Sequence, residues 1–275
     1  VEGLRLIPPA RRPPPPTAAP PQEDTPLSSP SGRTSPGFGP SSSALSTPAR
    51  SAATSCHVST SPPPIDPPLP ERFAAWFAAR GWSLRPHQAA MLEAARAARP
   101  VLLVAPTGAG KTLSGFLPSL VDLADPAKRP KTGLTARGVR RKGIHTLYVS
   151  PLKALAVDVA RNLEVPIAEM GLAITVETRT GDTPAHKRQR QKYDPPDVLM
   201  TTPEQVALLL ASPEAPDLFG SLKRVVFDEL HSLVTSKRGD LLALGLARLR
   251  RLAPDLVAVG LSATVADPNE LAAWL

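Results

Sequence analysis

One octapeptide limits the fold more than any other feature: Ala105-Pro106-Thr107-Gly108-Ala109-Gly110-Lys111-Thr112. It follows an apolar run, Val101 to Val104, that reads as a buried strand. A helical period opens directly behind it, with Leu113, Phe116, Leu117 and Leu120 on one face. Strand, glycine loop, Lys-Thr and helix, in that order, make a phosphate-binding loop. Glycines let backbone N–H groups close round an anion, and the helix N-terminus adds unpaired donors and partial positive charge. Thr107, Gly108, Ala109 and Gly110 then form the cradle of a nucleoside triphosphate. Lys111 is placed to reach the terminal phosphates, and the Thr112 hydroxyl to sit on Mg²⁺. The first position of the strict pattern is Ala105 instead of glycine, which is tolerable only where no positive φ is needed.

Further apolar runs follow at Thr146–Val149, Ile174–Val176, Val198–Met200, Val225–Phe227 and Val257–Leu261, separated by helical patterns. Such alternation predicts an α/β fold, a parallel sheet with helices on both faces. Ahead of the loop, Phe73, Trp76 and Phe77 recur at helical spacing before Gly81, and Pro86 stands where a second helix would begin. Ser150-Pro151, Thr183-Pro184, Thr202-Pro203 and Asp267-Pro268 each join an N-cap residue to a proline at the first helical position. They are ordinary helix starts, but in a parallel sheet these junctions open on the carboxyl edge, where such folds bind ligands. Several N–H-rich helix ends beside a phosphate loop suit a second, anionic partner.

More than half of the 35 prolines precede Glu71. Residues 1–66, rich in Pro, Ser, Thr, Ala and Gly, carry too little apolar surface to offset roughly 1–2 kcal/mol of backbone ordering per residue, so a disordered tail is expected there. Residues 67–275 are expected to form one domain. The single cysteine, Cys56, permits no internal disulfide, which fits a reducing cytoplasm. No apolar stretch approaches the ~18 residues of a membrane span. A net charge of +8 and a pI near 10.1 favour a polyanionic partner.

Arg224-Val225-Val226-Phe227-Asp228-Glu229-Leu230-His231 is a strand ending in two carboxylates. An isolated Asp-Glu is as a rule a solvated strand end. More than a hundred residues after a phosphate loop, the aspartate reads as the Mg²⁺ holder and the glutamate as the group that activates water. For His231 three roles stay open: structural imidazole, metal ligand, or link between nucleotide and a moving part. Gly260-Leu261-Ser262-Ala263-Thr264 ends the last strand with two hydroxyls, which on composition alone merely cap the sheet.

Taken in order, Gln88, the loop at 105–112, Pro151-Leu152-Lys153-Ala154-Leu155-Ala156, Arg179-Thr180-Gly181-Asp182, Thr201-Thr202-Pro203-Glu204, Asp228-Glu229-Leu230-His231 and Ser262-Ala263-Thr264 resemble the motifs of superfamily 2 DExH-box helicases. The nearest resemblance is to the Lhr (large helicase-related) group, particularly the bacterial ligase-associated DEXH helicases, for which Ser236-Lys237-Arg238-Gly239 is typical. It covers roughly residue 67 to the end, and Ala105 is usual in such proteins. The resemblance implies the first RecA-like domain of an ATP-driven DNA motor, the N-terminal part of a repair helicase. By it Gln88 reads adenine, Lys111 and Thr112 hold phosphates and Mg²⁺, Asp228 holds the metal and Glu229 activates water. His231, Ser262, Ala263 and Thr264 couple nucleotide state to domain movement. Pro151, Leu152, Lys153, Ala154, Arg179, Thr180, Gly181, Thr201, Thr202 and Pro203 contact the DNA backbone, giving grip without sequence preference.

A complete helicase of this class has a second RecA-like domain that supplies an arginine finger, a group that contributes roughly 10³–10⁵ in rate in related hydrolases. The 275-residue chain is therefore expected to bind ATP weakly and to hydrolyse it barely. A DNA ligase is a partner implied by the family association. A translocase that never separates strands shares every motif, whereas a nucleotide-gated switch has less need of Glu229. Lys128 to Lys142 carries seven Lys or Arg and no acid, and it should emerge at the amino edge as a solvated loop. His186 to Lys192 follows Thr183-Pro184 on the ligand edge, where a DNA contact and a solvated helix face are both open.

Overall fold

The computed structural model describes residues 3–6, 69–106, 108–130, 133–134, 140–141, 143–263, 265 and 267–275. In chain order the elements are β1 (Gly3–Leu6), α1 (Glu71–Ala79), α2 (Pro86–Arg96), β2 (Val101–Val104) and α3 (Lys111–Ala124). A 3₁₀ turn at Pro126–Lys128 and the short strands β3 (Gly133–Leu134) and β4 (Arg140–Arg141) follow. Next come β5 (Thr146–Val149), α4 (Lys153–Glu169), β6 (Val176–Arg179), α5 (Ala185–Tyr193), β7 (Val198–Thr201) and α6 (Pro203–Leu210). The last are α7 (Ala215–Phe219), β8 (Arg224–Phe227), α8 (Leu230–Val234), α9 (Lys237–Leu252), β9 (Val257–Ser262) and α10 (Pro268–Trp274).

Seven strands form one sheet in the order β1-β2-β9-β8-β5-β7-β6. From β2 to β6 every pairing is parallel. Alternate residues of the buried strands go to opposite faces. Tyr148, Met200 and Val226 join Phe73, Met91, Phe116, Leu120 and Leu163 in one core. Leu147, Val149, Leu199, Val225 and Phe227 join Leu209, Phe219, Leu242 and Leu246 in the other. Each such side chain contributes about 1.5–3 kcal/mol when buried, so both helical layers are firmly held. Phe73, Trp76 and Phe77 are all core residues.

The parallel registers place the carboxyl ends level. Val104 pairs with Ser262, Gly260 with Phe227, Phe227 with Val149, Val149 with Thr201 and Thr201 with Arg179. The phosphate loop and the segments after five other strands therefore leave the sheet on one rim. At the opposite edge Arg224, which opens β8, meets Asp122 at the end of α3 at 2.6 Å.

Several expectations need amendment. Gly3–Leu6 falls within the stretch expected to lack structure, yet it pairs antiparallel with β2, so the sheet is not wholly parallel. The rest of residues 1–66, and Pro67, lie outside the described residues. The sixth strand begins two residues later than expected, at Val176. Thr175 is occupied instead by the Asp197 carboxylate, which accepts from its N–H and its hydroxyl, both at 2.9 Å. Two of the four expected caps also differ. Helix α4 starts at Lys153, with the Ser150 hydroxyl donating to Leu152 O at 3.2 Å. Helix α5 starts at Ala185, and Thr183 Oγ1 accepts from Thr180 N–H at 2.9 Å, tightening the preceding turn. Thr202 and Asp267 do stand at N-caps, each followed by proline. In the 128–142 run, Lys128 pairs with Asp122 at 2.9 Å and Arg129 donates to Leu123 O and Ala173 O, while β3 and β4 form a small antiparallel ladder.

Candidate functional site

The loop after β2 is set by backbone chemistry. Ala105 N–H donates to Ser262 O at 3.1 Å, anchoring the loop to the end of β9. Gly108 and Gly110 take φ of 85° and 80°, the left-handed region that glycine enters without steric cost. Ala105 is absent from the positive-φ residues, so its methyl group is accommodated. Arg85 Nη1 donates to Ala109 O at 2.8 Å from outside the loop. Gln88 Oε1 accepts from Arg85 N–H at 3.0 Å, and its buried side chain lies beside Gly110. Thr107 lies outside the described residues.

Lys111 opens α3 and is buried, its ammonium donating to Ala105 O at 2.8 Å. Among the described residues it forms no ion pair. Asp228 is likewise buried and makes no ion pair among them. Its Oδ1 accepts from Glu229 N–H at 3.0 Å, and its Oδ2 accepts from the Tyr148 hydroxyl. A buried cation and a buried carboxylate on one rim, each without a charged partner, carry a desolvation cost that bound phosphate and metal would offset. The hydroxyl of Thr112 and the carboxylate of Asp228 are hard oxygen donors of the kind Mg²⁺ takes alongside water and phosphate.

Glu229 adopts φ 47° and ψ 45°, a left-handed conformation rare for a non-glycine residue. The strained turn directs the side chain to His231, whose Nε2 lies 3.4 Å from Glu229 Oε2. The other ring nitrogen, Nδ1, lies 3.0 Å from Ser262 Oγ. The imidazole thus stands between the Glu229 carboxylate, at ion-pair distance, and the Ser262 hydroxyl, at hydrogen-bond distance. His231 therefore joins the segment after β8 to the end of β9. Ala263 follows at the rim, half-buried; Thr264 lies outside the described residues.

The segments after β5, β6 and β7 lie along the same rim. Leu152, Lys153, Ala154 and Gly181 are exposed, and Pro151 is half-buried. Arg179, Thr180, Thr201, Thr202 and Pro203 are buried. Arg179 turns inward, Nη1 donating to Arg188 O at 2.7 Å, and the Thr201 hydroxyl donates to Arg179 O at 2.8 Å. The buried members shape the turns, and the exposed ones form their surface. Lys153 Nζ lies 3.0 Å from both Asp182 carboxylate oxygens, joining two turns. In α5, Arg190 pairs with Glu177 at 2.5 Å and Lys192 with Glu214 at 3.2 Å, so part of that basic run is neutralised internally.

Tyr148 and Arg85 also support this rim and carry no assignment from the sequence, and Arg238, named there only within a group-typical stretch, reaches Pro151 and Glu204. Arg85, immediately before Pro86, carried a readable signal, since a residue there faces the start of a helix.

The DEAD/DEAH box helicase family model matches residues 85–271. The Lhr helicase of Mycolicibacterium smegmatis is 42% identical over 219 residues, 74% of this chain and 14% of that protein. ATP-dependent helicase Lhr-Core protein 2 of Thermococcus barophilus is 38% identical over 210 residues, 73% of this chain and 23% of that protein. Among solved structures, Mycobacterium smegmatis helicase Lhr bound to ssDNA and AMP-PNP is similar with a TM-score of 0.62 and 40% identity, over 73% of this chain and 25% of that one. The chain thus spans under a quarter of the length of these two curated relatives. A helicase profile laid across the phosphate loop, Asp228-Glu229 and the strands between them places the chain in the DEAD/DEAH box helicase family, with its likeness concentrated on the Lhr helicases of superfamily 2.

Proposed function

We propose that this chain is the ATP-binding motor domain of an ATP-dependent DNA helicase, coupling ATP hydrolysis to movement along DNA, in DNA repair. The observation that carries the reading is the level alignment of the parallel strand ends, which gathers phosphate loop, acidic pair and motif turns on one rim. In this reading Gln88 recognises adenine, and the backbone of Thr107 to Gly110 with Lys111 and Thr112 holds the phosphates. Asp228 and Thr112 hold Mg²⁺, which neutralises charge on the transferring phosphoryl group. Glu229 orients and deprotonates the attacking water. His231, Ser262, Ala263 and Thr264 carry the state of the site towards a second RecA-like domain. The turns at Pro151 to Ala154, Arg179 to Gly181 and Thr201 to Pro203 follow the phosphates of one DNA strand. Two relatives support the ligands: the Lhr structure holds ssDNA and AMP-PNP, and helicase MrfA was solved with DNA and AMPPNP. A second RecA-like domain and an associated DNA ligase complete the assembly we propose.

Titration with a fluorescent ATP analogue and Mg²⁺ tests the nucleotide site. Saturable binding by the unmodified chain and its loss in Lys111→Ala are expected; equal binding by both would overturn the assignment. Vigorous DNA-stimulated turnover by the 275-residue chain alone would overturn the need for a second domain.

A further inference from the structure

Ser236-Lys237-Arg238-Gly239 plays no part in the nucleotide site, yet the fold holds its course tightly. Ser236 is the N-cap of α9, and its hydroxyl donates to Leu233 O at 2.9 Å. A Cβ at Gly239 would stand 2.7 Å from Val234 O and 2.8 Å from Leu233 O. Those are backbone atoms at the end of α8, so any larger residue would push the two helices apart. The tight α8–α9 corner brings Arg238 back onto the rim. Its Nε lies 2.8 Å from Glu204 Oε1, and its Nη1 donates to Pro151 O at 3.2 Å. Glu204 belongs to the first turn of α6, and Pro151 to the turn after β5, the strand beside β7.

We propose that Arg238 is a positioning residue whose guanidinium clasps the Pro151 turn to the start of α6, fixing the spacing at which the two meet successive phosphates of one DNA strand. This inference rests on the reading that the rim grips DNA. A planar fork with diverging donors suits two acceptors on separate segments, and an ammonium does not replace it. The Arg238 and Glu204 side chains are 49% and 47% exposed, so the pair adds little to folding and alignment is its effect. The rival is direct contact between Arg238 and a phosphate.

Fluorescence anisotropy of the 275-residue chain with a labelled single-stranded oligodeoxythymidine, over a salt series, separates these. A clasp predicts that Arg238→Ala weakens binding roughly two- to fivefold, the scale of an exposed ion pair, with an unchanged salt slope. Arg238→Lys should fail to restore it, and Glu204→Ala should have its effect only while Arg238 is present. Melting temperatures should stay at the unmodified value. Full rescue by lysine, additive effects, or a slope reduced by about 0.7 in Arg238→Ala would overturn the clasp in favour of direct contact. Absence of binding by the unmodified chain would overturn the DNA reading and the clasp together.

Discussion

The phenol of Tyr148 donates its hydrogen to the carboxylate of Asp228 across the β5–β8 pair, within the core. The same ring stacks on Phe116, centroids 4.9 Å apart, in the helix that begins at Lys111. The carboxylate proposed to hold the metal is thus oriented from a neighbouring strand by a side chain that leans on the phosphate-loop helix. Burial first, and then the adjacent Asp228 charge, push the phenol's pKa upward, so the hydroxyl stays a donor.

Tyr148→Phe removes that hydrogen bond and almost no volume. A buried bond to a charged acceptor contributes about 1.5–3 kcal/mol, and urea denaturation should register a loss of that size. Fluorescent-nucleotide titrations should need more Mg²⁺ to reach half-saturation. Unaltered stability and an unaltered Mg²⁺ midpoint would show that Asp228 is held without the phenol.

Local spacing explains what was legible. The glycine turn before α3, the Asp228-Glu229 strand end and the strands at Val101, Thr146, Val198, Arg224 and Val257 each depend on neighbours a few residues away, and these stand where the sequence places them. The Tyr148–Asp228 bond depends on the register of two strands 80 residues apart, which no local pattern encodes. Tyr148 read as one more apolar strand residue, although a buried phenol must find a partner. Composition averaged over a long window hid Gly3–Leu6, because an edge strand needs only backbone groups to pair. Ser150 and Thr183 resemble helix caps, but their hydroxyls close tighter turns, and that choice is made by the packing of the rim.

Glu229 occupies a left-handed backbone conformation at φ 47°. At ordinary helical sites Gly is about 0.5–1 kcal/mol less stable than Ala. Here the order should invert, with Glu229→Gly more stable than Glu229→Ala by about 1 kcal/mol, since only the glycine relieves the strain. Both variants should lose hydrolysis in the full-length enzyme. Paired denaturation curves decide it, and an alanine variant as stable as the glycine one would mean no strain is held there.

His145 lies at the amino edge, buried, with Nδ1 2.8 Å from Thr146 Oγ1. Burial and then the Arg224 charge lower its pKa to about 4, against an ordinary value of 6.5. Between those values the unfolded chain binds a proton that the folded chain does not, so stability falls as pH drops from 6.5 towards 4, by about 3 kcal/mol in all. Asp122 adds a separate loss at lower pH. Burial alone would raise its carboxyl, but Arg224 and Lys128 outweigh that and hold it below 3.8. His87 is also lowered, by burial and then the Arg85 charge, so His145→Gln should remove most of the loss in the upper window and leave the lower one as it was. A loss of stability between pH 6.5 and 4 as large in that variant as in the unmodified chain would contradict the assignment.

Lys153 and Asp182 join two turns proposed to face DNA, with side chains 54% and 76% exposed. In that setting the carboxylate competes with phosphate for the lysine. Asp182→Asn should therefore tighten single-stranded DNA binding roughly two- to fivefold at low salt, while leaving the melting temperature alone. Freeing one cation for one more phosphate should also steepen the dependence of affinity on salt by about 0.7. The gain should fade at high ionic strength, where exposed charges are screened. It should vanish when Lys153→Ala is added, because the released lysine is its source. Anisotropy titrations over a salt series, run on both single variants and the double, read all of this. Tighter binding that survives the loss of Lys153 would reflect nothing more than lower negative charge on the rim, and the paired lysine would then have no place in the grip on DNA.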